Sequence, residues 1–361
     1  MEGENHASFL GSSLSVPSVQ ELAKNPLDSV PSRYIQTDDQ DRLILSHDDD
    51  DDDLSIPIID LGMLMSGDDQ DHEIEINKFD SACKEWGFFQ VLNHGVSLML
   101  MEKVKEEMGE FFKLPMEEKK KYWQQPGGLE GFGQHFVVSD GQKLDWGDMF
   151  WIITSPIFLR NPSLFPSLPQ SFRETMEVYS NEMNKIATKL FGKMAKALKI
   201  EGGDMDEMFE GGMQSMRMNY YPPCPQPELA IGLSPHSDST GLTILFQANE
   251  TVGLEIMKNS KWISVKPLPG TFIVNIGDIM EIVSNGAYRS ILHRARVNSS
   301  KERLSIATFH NPNLEKELGP APSLITTESP ALFKKVGVSD YFKDMFSYKL
   351  QGKSNLDFMR I

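Results

Sequence analysis

Apolar side chains recur every three or four residues in three stretches of the first half of the chain, which predicts three amphipathic helices. Short apolar runs at 56–61 and 87–91 are typical of strands before and after the first helix. The second helix is expected to end near Pro115. The positions that define the three helical faces are Ile76, Phe79, Cys83 and Trp86; Met101, Val104, Met108 and Phe111; and Met176, Tyr179, Met183, Ile186, Leu190, Met194 and Leu198.

The pattern changes after about Gly211, where short stretches rich in β-branched and aromatic residues are separated by turn sequences. These predicted strands are Met216–Tyr221, Leu242–Gln247, Trp262–Lys266, Thr271–Asn275 and Leu304–Phe309; the turns are Asn259-Ser260, Pro269-Gly270, Gly277-Asp278 and Asn285-Gly286. Many short strands with frequent turns favour an antiparallel jelly roll, whose open end can house a site. We therefore expect a mixed α+β fold, a double-stranded β-helix wrapped by helices, with a helix at 341–346 covering the mouth.

These patterns divide the chain into four segments: an N-terminal segment at 1–54, a helical region at 55–205, the jelly-roll core at 211–312 and a helical cover at 313–361. Between Asp38 and Asp53 the first segment has nine aspartates and one arginine, −9 + 1 = −8. A cation-binding tract at Asp48–Asp53 is one interpretation of this run. A solvated, disordered linker is favoured, because like charges without aromatic residues cannot pack.

Composition narrows the class of protein. A formal net charge of −17 over 361 residues disfavours nucleic acid and anionic membranes as partners. The two cysteines, Cys83 and Cys224, are expected to be reduced thiols of an intracellular protein. No apolar run approaches the roughly 18 residues of a membrane span, and the acidic start lacks a signal-peptide core. We expect a cytoplasmic monomer.

Three residues carry the most specific chemistry. His236 and Asp238 are two apart, so on a strand both side chains would leave the same face of the sheet. His293 must then come from a distant strand. Two imidazoles and one carboxylate are the ligand set of non-haem Fe(II) oxygenases, which leaves the other metal positions open. The alternative is a set of unrelated polar residues in a β-rich domain, but their order and strand parity favour a metal site.

Strand parity extends the candidate site to two further stretches. Arg303 and Ser305 share one face, and a guanidinium beside an open metal suits the far carboxylate of a small diacid. The same alternation carries Phe309 and Asn311 farther into the cavity. Arg217, Asn219 and Tyr221 also share a face, opposite the apolar Met216 and Met218, and that face is predicted to line a wet cavity.

The chain resembles the plant 2-oxoglutarate- and Fe(II)-dependent dioxygenases from about Val16 to its C-terminus. The branch that it resembles most contains the senescence-related proteins and the codeine and thebaine O-demethylases, whose openings are similar to Ser15–Leu22. The matching motifs are Ser81–Gln90, Leu92–Gly95, Met216–Cys224, Gly232–Asp238, Ser284–Gly286, Ser290–Arg294 and Glu302–Ile306.

The resemblance implies that His236, Asp238 and His293 bind Fe(II). It also implies that Arg303 and Ser305 bind the far carboxylate of 2-oxoglutarate. Asn219 and Tyr221 would lie beside this cosubstrate; for Tyr221 the alternative, which is less favoured, is a half-buried aromatic before a Pro-Pro turn. O2 would be the oxidant, succinate and CO2 the coproducts, and ascorbate the reductant. The resemblance adds Trp151, Met149 and Phe136 to Arg217, Phe309 and Asn311 as substrate contacts, with simple core packing an equal alternative for Met149 and Phe136.

The predicted activity is oxidation of an aromatic or polycyclic specialised metabolite by hydroxylation, O-demethylation or desaturation. Two alternatives stay open: an iron oxidase that does not use 2-oxoglutarate, and a non-oxidative or purely metal-binding member of the fold. Other histidines are expected to have structural roles, His94 in a turn and His310 in packing, while His135 has a weak claim to the pocket. His6, His47 and His72 lie in polar stretches.

Overall fold

The computed structural model describes residues 13–25, 27–36, 55–67, 70–200, 203–346 and 352–361, and all statements below refer to these. Eleven α-helices are assigned in them. They are α1 Val19–Ala23, α2 Leu61–Leu64, α3 Gln70–Ser81, α4 Leu98–Lys113, α5 Met116–Lys119, α6 Leu164–Ser167, α7 Gln170–Leu198, α8 Asp204–Phe209, α9 Asp278–Val283, α10 Val338–Phe346 and α11 Ser354–Met359. A π-helical turn, Ala82–Trp86, extends α3, and short 3-10 turns lie at Ser32–Tyr34, Lys120–Tyr122, Ile157–Leu159 and Pro322–Leu324. The acidic run 38–53 lies outside the described residues.

The strands form three sheets. They are β1 Ile58–Asp60, β2 Phe88–Leu92, β3 Gly131–Gly133, β4 Asp148–Ser155, β5 Gln214–Tyr221, β6 Leu233–His236, β7 Leu242–Gln247, β8 Leu254–Lys258, β9 Lys261–Ser264, β10 Phe272–Ile276, β11 His293–Ala295, β12 Arg303–His310, β13 Glu317–Leu318 and β14 Val336–Gly337. The eight-stranded sheet has the order β1-β2-β10-β7-β12-β5-β4-β3, the four-stranded sheet β6-β11-β8-β9, and β13 pairs with β14. Every pair except β1–β2 is antiparallel.

A cavity lies between the two larger sheets, and alternation along the strands decides what faces it. On β5 and β12 the odd-numbered residues line the cavity, while Met216, Met218 and Ile306 are fully buried in the main apolar core on the other face. The long helix α7 packs against this outer face, where Met183 and Leu190 join the same core. Antiparallel sheets around one enclosed site are the jelly-roll arrangement that was predicted.

The three predicted helices are confirmed as α3 with its π-helical turn, α4 and α7, and the predicted helix at 341–346 is part of α10. The pattern did not predict β4, which lies between β3 and β5. Seven of its eight residues are buried, so the sequence shows a continuous apolar run rather than the alternation of a half-exposed strand. Region 55–205 thus contributes four strands to the large sheet, and the division at 205–211 stays a prediction.

At some positions, close packing leaves no room for a side chain and therefore requires glycine. At Gly277, between β10 and α9, an added Cβ would collide with the carbonyl of Thr240, so the loop after β6 can pass directly beneath this turn only because the residue is glycine. Among the described residues, no helix has both the length and the apolarity required to cross a membrane. Cys83 and Cys224 are buried free thiols.

Candidate metal and cosubstrate site

His236, Asp238 and His293 meet at one end of the four-stranded sheet. His236 is the last residue of β6, and it lies opposite His293, the first residue of β11. The Nε2 atoms of His236 and His293 lie 3.4 and 3.7 Å from Asp238 Oδ1. One ligand atom from each residue can be chosen so that all three lie within 4.8 Å of one another.

The expectation that Asp238 shares a strand with His236 is wrong. β6 ends at His236, and Asp238 lies in the loop that follows. Its backbone is held by α9 instead, because Asp278 N–H donates to Asp238 O at 2.7 Å. The carboxylate therefore reaches the imidazoles from the loop, which brings the three ligand atoms close to one another.

Hydrogen bonds leave one free ligand atom on each of these side chains. His236 Nδ1 lies 2.8 Å from Ser234 O, and His293 Nδ1 lies 3.2 Å from Ile291 O. An Nδ1–H that donates to a carbonyl leaves the Nε2 lone pair available to a metal. Asp238 Oδ2 accepts from Thr243 Oγ1 at 2.7 Å and from Asn275 Nδ2 at 2.8 Å, so Oδ1 faces the two rings.

The charge states also favour a cation at this centre. Burial raises the pKa of Asp238, but His293, His236 and Asn275 act against it and hold the pKa below the usual value, so the carboxylate is ionised. Burial, followed by the neighbouring His236, lowers the pKa of His293 to about 4. A neutral imidazole beside an ionised carboxylate is the state that a divalent metal requires of its ligands.

Asn275→Leu is expected to weaken Fe(II) binding by about 10- to 100-fold, because the carboxylate loses a donor that orients it. Thr243→Val should act in the same direction. Thr175→Val is a matched control, since its buried hydroxyl on α7 has no hydrogen-bond partner. Anaerobic calorimetry with Fe(II) measures the effect, and equal affinities for all three variants would contradict it.

Arg303 forms a cationic pocket next to this centre. Its side chain is buried, with the residue only 3% exposed, and the guanidinium lies 5.4 Å from the centre of the Tyr221 ring. Nη1 donates to Ser305 Oγ at 3.4 Å and Nη2 to Gln247 Oε1 at 3.1 Å, while Nε has no partner. Within the described residues, no carboxylate pairs with it. Burial lowers the pKa of Arg303, with Tyr221 acting against the shift.

Asn219 and Tyr221 lie on the neighbouring strand, β5, in register with Ser305 and Arg303. Asn219 Nδ2 is 3.4 Å from Ser305 Oγ, and Asn219 Oδ1 has no partner. Sequence reasoning missed Gln247, which lies on β7 at the other side of β12, and Gly253, where an added Cβ would lie 2.8 Å from Arg303 Cδ. Strand parity on β7 would have placed Gln247 on the cavity face.

These residues fit the groups that the motif implies. Three ligand atoms without other partners can hold one face of a divalent metal and leave positions open. A buried guanidinium with weak neutral partners lacks the anion that normally compensates such a charge. A carboxylate of a small diacid would supply that anion, while the other end of the diacid reaches the metal.

Comparison with known proteins agrees with this geometry. Residues 212–312 match the model of the 2OG-Fe(II) oxygenase superfamily, and residues 56–168 match that of the non-haem dioxygenase in morphine synthesis N-terminal region. Protein SRG1 of Arabidopsis thaliana is 53% identical, with both chains covered completely. Codeine O-demethylase of Papaver somniferum is 54% identical, with 98% of each chain covered. The chain belongs to the 2OG-Fe(II) oxygenase superfamily.

The structural comparison confirms the fold of this oxygenase. A crystal structure of JOX2 in complex with 2OG, Fe and JA has a TM-score of 0.86 and 37% sequence identity, covering 96% of this chain and 98% of that one. The predicted family and fold class are thus confirmed, and the family implies Fe(II) and 2-oxoglutarate. The individual roles of the site residues stay predictions that rest on the geometry above.

The outer part of the oxygenase cavity contains most of the predicted substrate contacts. Trp151 on β4 pairs with Arg217 on β5, and Phe309 and Asn311 lie at the far end of β12. Phe136 lines the same space, but Met149 is not among the lining residues. Met149 is 1% exposed and packs in the main apolar core, on the part of β4 that pairs with Gly133 of β3 and Asn219 of β5. Strand parity gives the face of Met149 but not the layer that covers it.

Several cavity residues were missed or undervalued. Phe342, Met345 and Phe346 of α10 line the cavity, as the predicted cover requires, and Phe346 stacks on Phe136 with ring centres 5.5 Å apart. His135 is also a lining residue, and its ring meets Trp151 at 5.3 Å. Burial, followed by the charge of Arg217, lowers the pKa of His135 to about 3. A neutral imidazole is thus part of an aromatic wall.

The remaining described histidines have structural settings. His94 Nε2 lies 2.9 Å from Gly270 O, and its Nδ1 accepts from Val96 N–H at 3.1 Å, as expected of a turn histidine. His310 is buried away from the catalytic cavity, on the floor of a separate cleft, and burial lowers its pKa to about 3. His72 lies in a polar stretch of the sequence, and on α3 its side chain is buried. His6 and His47 lie outside the described residues.

Proposed function

We propose that the protein is a 2-oxoglutarate-dependent oxygenase that oxidises an aromatic or polycyclic specialised metabolite, with O-demethylation as the foremost reaction. One observation carries the proposal: the buried Arg303, which lacks an anion, lies beside the histidine–carboxylate centre in one cavity. A protein that only bound metal would have no need of a second, cationic pocket. O-demethylases are among the relatives, which favours a methoxy substrate.

The substrate class follows from the walls of the outer cavity. Trp151, Phe309 and Phe136 offer flat apolar surfaces, and Arg217 is a cation whose Nε has no hydrogen-bond partner. Such a mixture suits a planar molecule with one or two oxygen substituents. Phe136 of the 134–147 loop and Phe346 of α10 stack on each other at this part of the cavity and add to its apolar wall.

Some residues of the cavity would bind the metal and the cosubstrate, and others would orient the substrate and exclude water. His236, Asp238 and His293 would hold Fe(II), and Arg303 and Ser305 would hold the 5-carboxylate of 2-oxoglutarate, with Asn219 and Tyr221 beside it. When bound, these groups supply the oxidising chemistry with O2, yielding succinate and CO2, and ascorbate keeps the iron reduced. A methoxy group that gains one oxygen atom on carbon leaves as formaldehyde and returns the free hydroxyl. The aromatic wall and α10 would aim that carbon at the metal.

A panel of methoxylated flavonoids, alkaloids and coumarins tests the proposal, with succinate and formaldehyde measured together. Equal amounts of the two products, dependent on 2-oxoglutarate, are expected for the preferred substrate. Succinate without formaldehyde, accompanied by a hydroxylated or desaturated product, would select another outcome of the same enzyme. Substrate oxidation without 2-oxoglutarate would select the iron oxidase. Metal binding without any oxidation would select the non-oxidative alternative.

Trp151→Ala and Phe309→Ala are expected to cut turnover of the organic substrate by about 10- to 100-fold, because each removes an apolar wall of about 1.5–3 kcal/mol. Decarboxylation of 2-oxoglutarate without product should survive, since the metal centre and Arg303 are untouched. Met218→Ala is the matched control on the opposite face of β5, where it should lower Tm and leave substrate preference unchanged. If Met218→Ala changes the preference and the two aromatic variants do not, the substrate lies elsewhere.

We also propose that the enzyme is a cytoplasmic monomer. The support is its strong negative charge and two buried free thiols, which suit a reducing compartment. Light scattering of the purified protein tests the monomer, and a fluorescent fusion in plant cells tests the compartment.

A further inference from the structure

The loop 134–147, which joins β3 to β4, presents His135 and Phe136 to the substrate cavity. Phe136 has a φ of 61°, a left-handed conformation that bulky residues rarely adopt. Such a conformation persists only where the surroundings hold it. Inside the loop, Gln142 supplies part of that support: its Nε2 donates to Phe136 O at 2.7 Å, and its Oε1 accepts from Val138 N–H at 3.0 Å.

Further support comes from the N-terminal segment, the described residues between Ser13 and Gln36, while Asp145 and Trp146 at the end of the loop also bond to Ser234 and Ile231 of the core. Its contacts with the loop occur at both ends. At one end, Leu14 N–H donates to Val137 O at 2.9 Å, and Val137 N–H donates to Ser13 Oγ at 3.1 Å. At the other end, Leu144 N–H donates to Arg33 O at 2.9 Å. Two side chains complete this end: Arg33 Nε donates to Gln142 O at 3.2 Å, and Lys143 Nζ to Ser32 O at 2.8 Å.

An apolar cluster stabilises the same contact. Tyr34 meets Trp146 edge to face, with ring centres 5.3 Å apart, and both side chains are buried. Val16, Val19 and Val30 of the segment pack in one cluster with Val137 and Leu144 of the loop. That cluster extends to Tyr221, beside the Arg303 pocket. Its position links the segment to the cavity wall through the loop.

Asp148, the first residue of β4, attaches α1 to the strand that carries Trp151. Its carboxylate accepts from Ser18 Oγ at 2.6 Å and from the N–H groups of Val19 and Gln20 at 2.9 Å each. All three donors belong to the start of α1. No described residue of the segment lines the cavity itself.

We propose that the N-terminal segment is a specificity element of the enzyme: without touching the substrate, it holds the 134–147 loop so that His135 and Phe136 form one wall of the substrate cavity. This inference rests on the proposed function only in taking that cavity as the substrate site. Tyr34 is then a positioning residue, and α10 contacts the same wall where Phe346 stacks on Phe136.

Tyr34→Ala tests the inference in the full-length protein. The variant removes the contact with Trp146 and changes no residue that lines the cavity. Tyr34→Phe is the conservative control, because the buried Tyr34 hydroxyl has no hydrogen-bond partner and the ring contact is kept. Phe79→Ala is the stability control, because it removes a fully buried aromatic of α3 that is not part of the cavity or of this cluster.

In Tyr34→Ala, hydrogen exchange of the amides of 134–147 should become faster, and the KM for the organic substrate should rise by about 10- to 100-fold. Product formed per succinate should fall, while the apparent affinity for 2-oxoglutarate stays within about twofold, because Arg303 is in place. Tyr34→Phe should behave as the wild type. Phe79→Ala should be less stable but should form as much product per succinate as the wild type.

Unchanged hydrogen exchange in the loop of Tyr34→Ala would overturn the inference. So would faster exchange with an unchanged substrate KM and an unchanged ratio of product to succinate. An equal loss in Phe79→Ala would also overturn it, since general destabilisation would then explain the effect. If the wild type oxidises no member of the panel, the proposed function fails. Exchange in the loop still decides, in that case, whether the segment holds it.

Discussion

Replacement of His236, Asp238 or His293 by alanine is expected to abolish oxidation of substrate and formation of succinate, while the protein stays folded. Each side chain offers one ligand atom, and only two would remain to hold the metal. Outer hydrogen-bond partners of a metal ligand are typically worth 10- to 100-fold in affinity, so loss of a ligand itself should weaken Fe(II) binding by about 100-fold or more. Anaerobic calorimetry and succinate release at limiting iron measure the two effects.

His94→Ala is the matched control for these variants. It removes a buried histidine with two backbone hydrogen bonds outside the cavity, so stability should fall and iron affinity should be retained. Circular dichroism checks that each variant is folded. Full activity at limiting iron after removal of any one of the three ligands would refute the assignment of the metal site.

Arg303→Lys should raise the KM for 2-oxoglutarate by about 10- to 100-fold and change the KM for the organic substrate far less. Lysine keeps the positive charge but loses the planar fork that binds a carboxylate with two parallel hydrogen bonds. A hydrogen bond to a charged group contributes roughly 1.5–3 kcal/mol, which corresponds to this range. Steady-state kinetics with each substrate varied in turn measure the difference.

Arg160→Lys is the control for a buried guanidinium. Arg160 bridges Glu177 and the carbonyl of Thr154 outside the cavity, so its replacement should affect stability and leave 2-oxoglutarate use unchanged. An unchanged 2-oxoglutarate KM in Arg303→Lys, or turnover without 2-oxoglutarate, would favour the iron oxidase. The same outcome would leave the metal assignment intact, because the two predictions rest on different residues.

The sequence by itself predicted which residues carry the chemistry, and it determined on which face of a strand most of them lie. Alternation on β5 and β12 separates Arg217, Asn219 and Arg303 from Met218 and Ile306, and the structure confirms that separation. Strand faces can be predicted from the sequence because backbone geometry fixes the side-chain period of a strand at two. The long helices were predicted for a similar reason, since each buries one continuous apolar stripe.

Only the tertiary structure decided which loops and helices pack against each face of the strands. The carboxylate of Asp238 reaches the two imidazoles from a loop that is hydrogen-bonded to α9. Strand parity does not predict its direction, because Asp238 is not part of a strand. Met149 has the same strand parity as Trp151 yet does not line the cavity, whereas His135, in the 134–147 loop, does. The orientation of such loops depends on contacts between residues more than a hundred positions apart, such as Tyr34 with Trp146, and no local pattern in the chain encodes that distance.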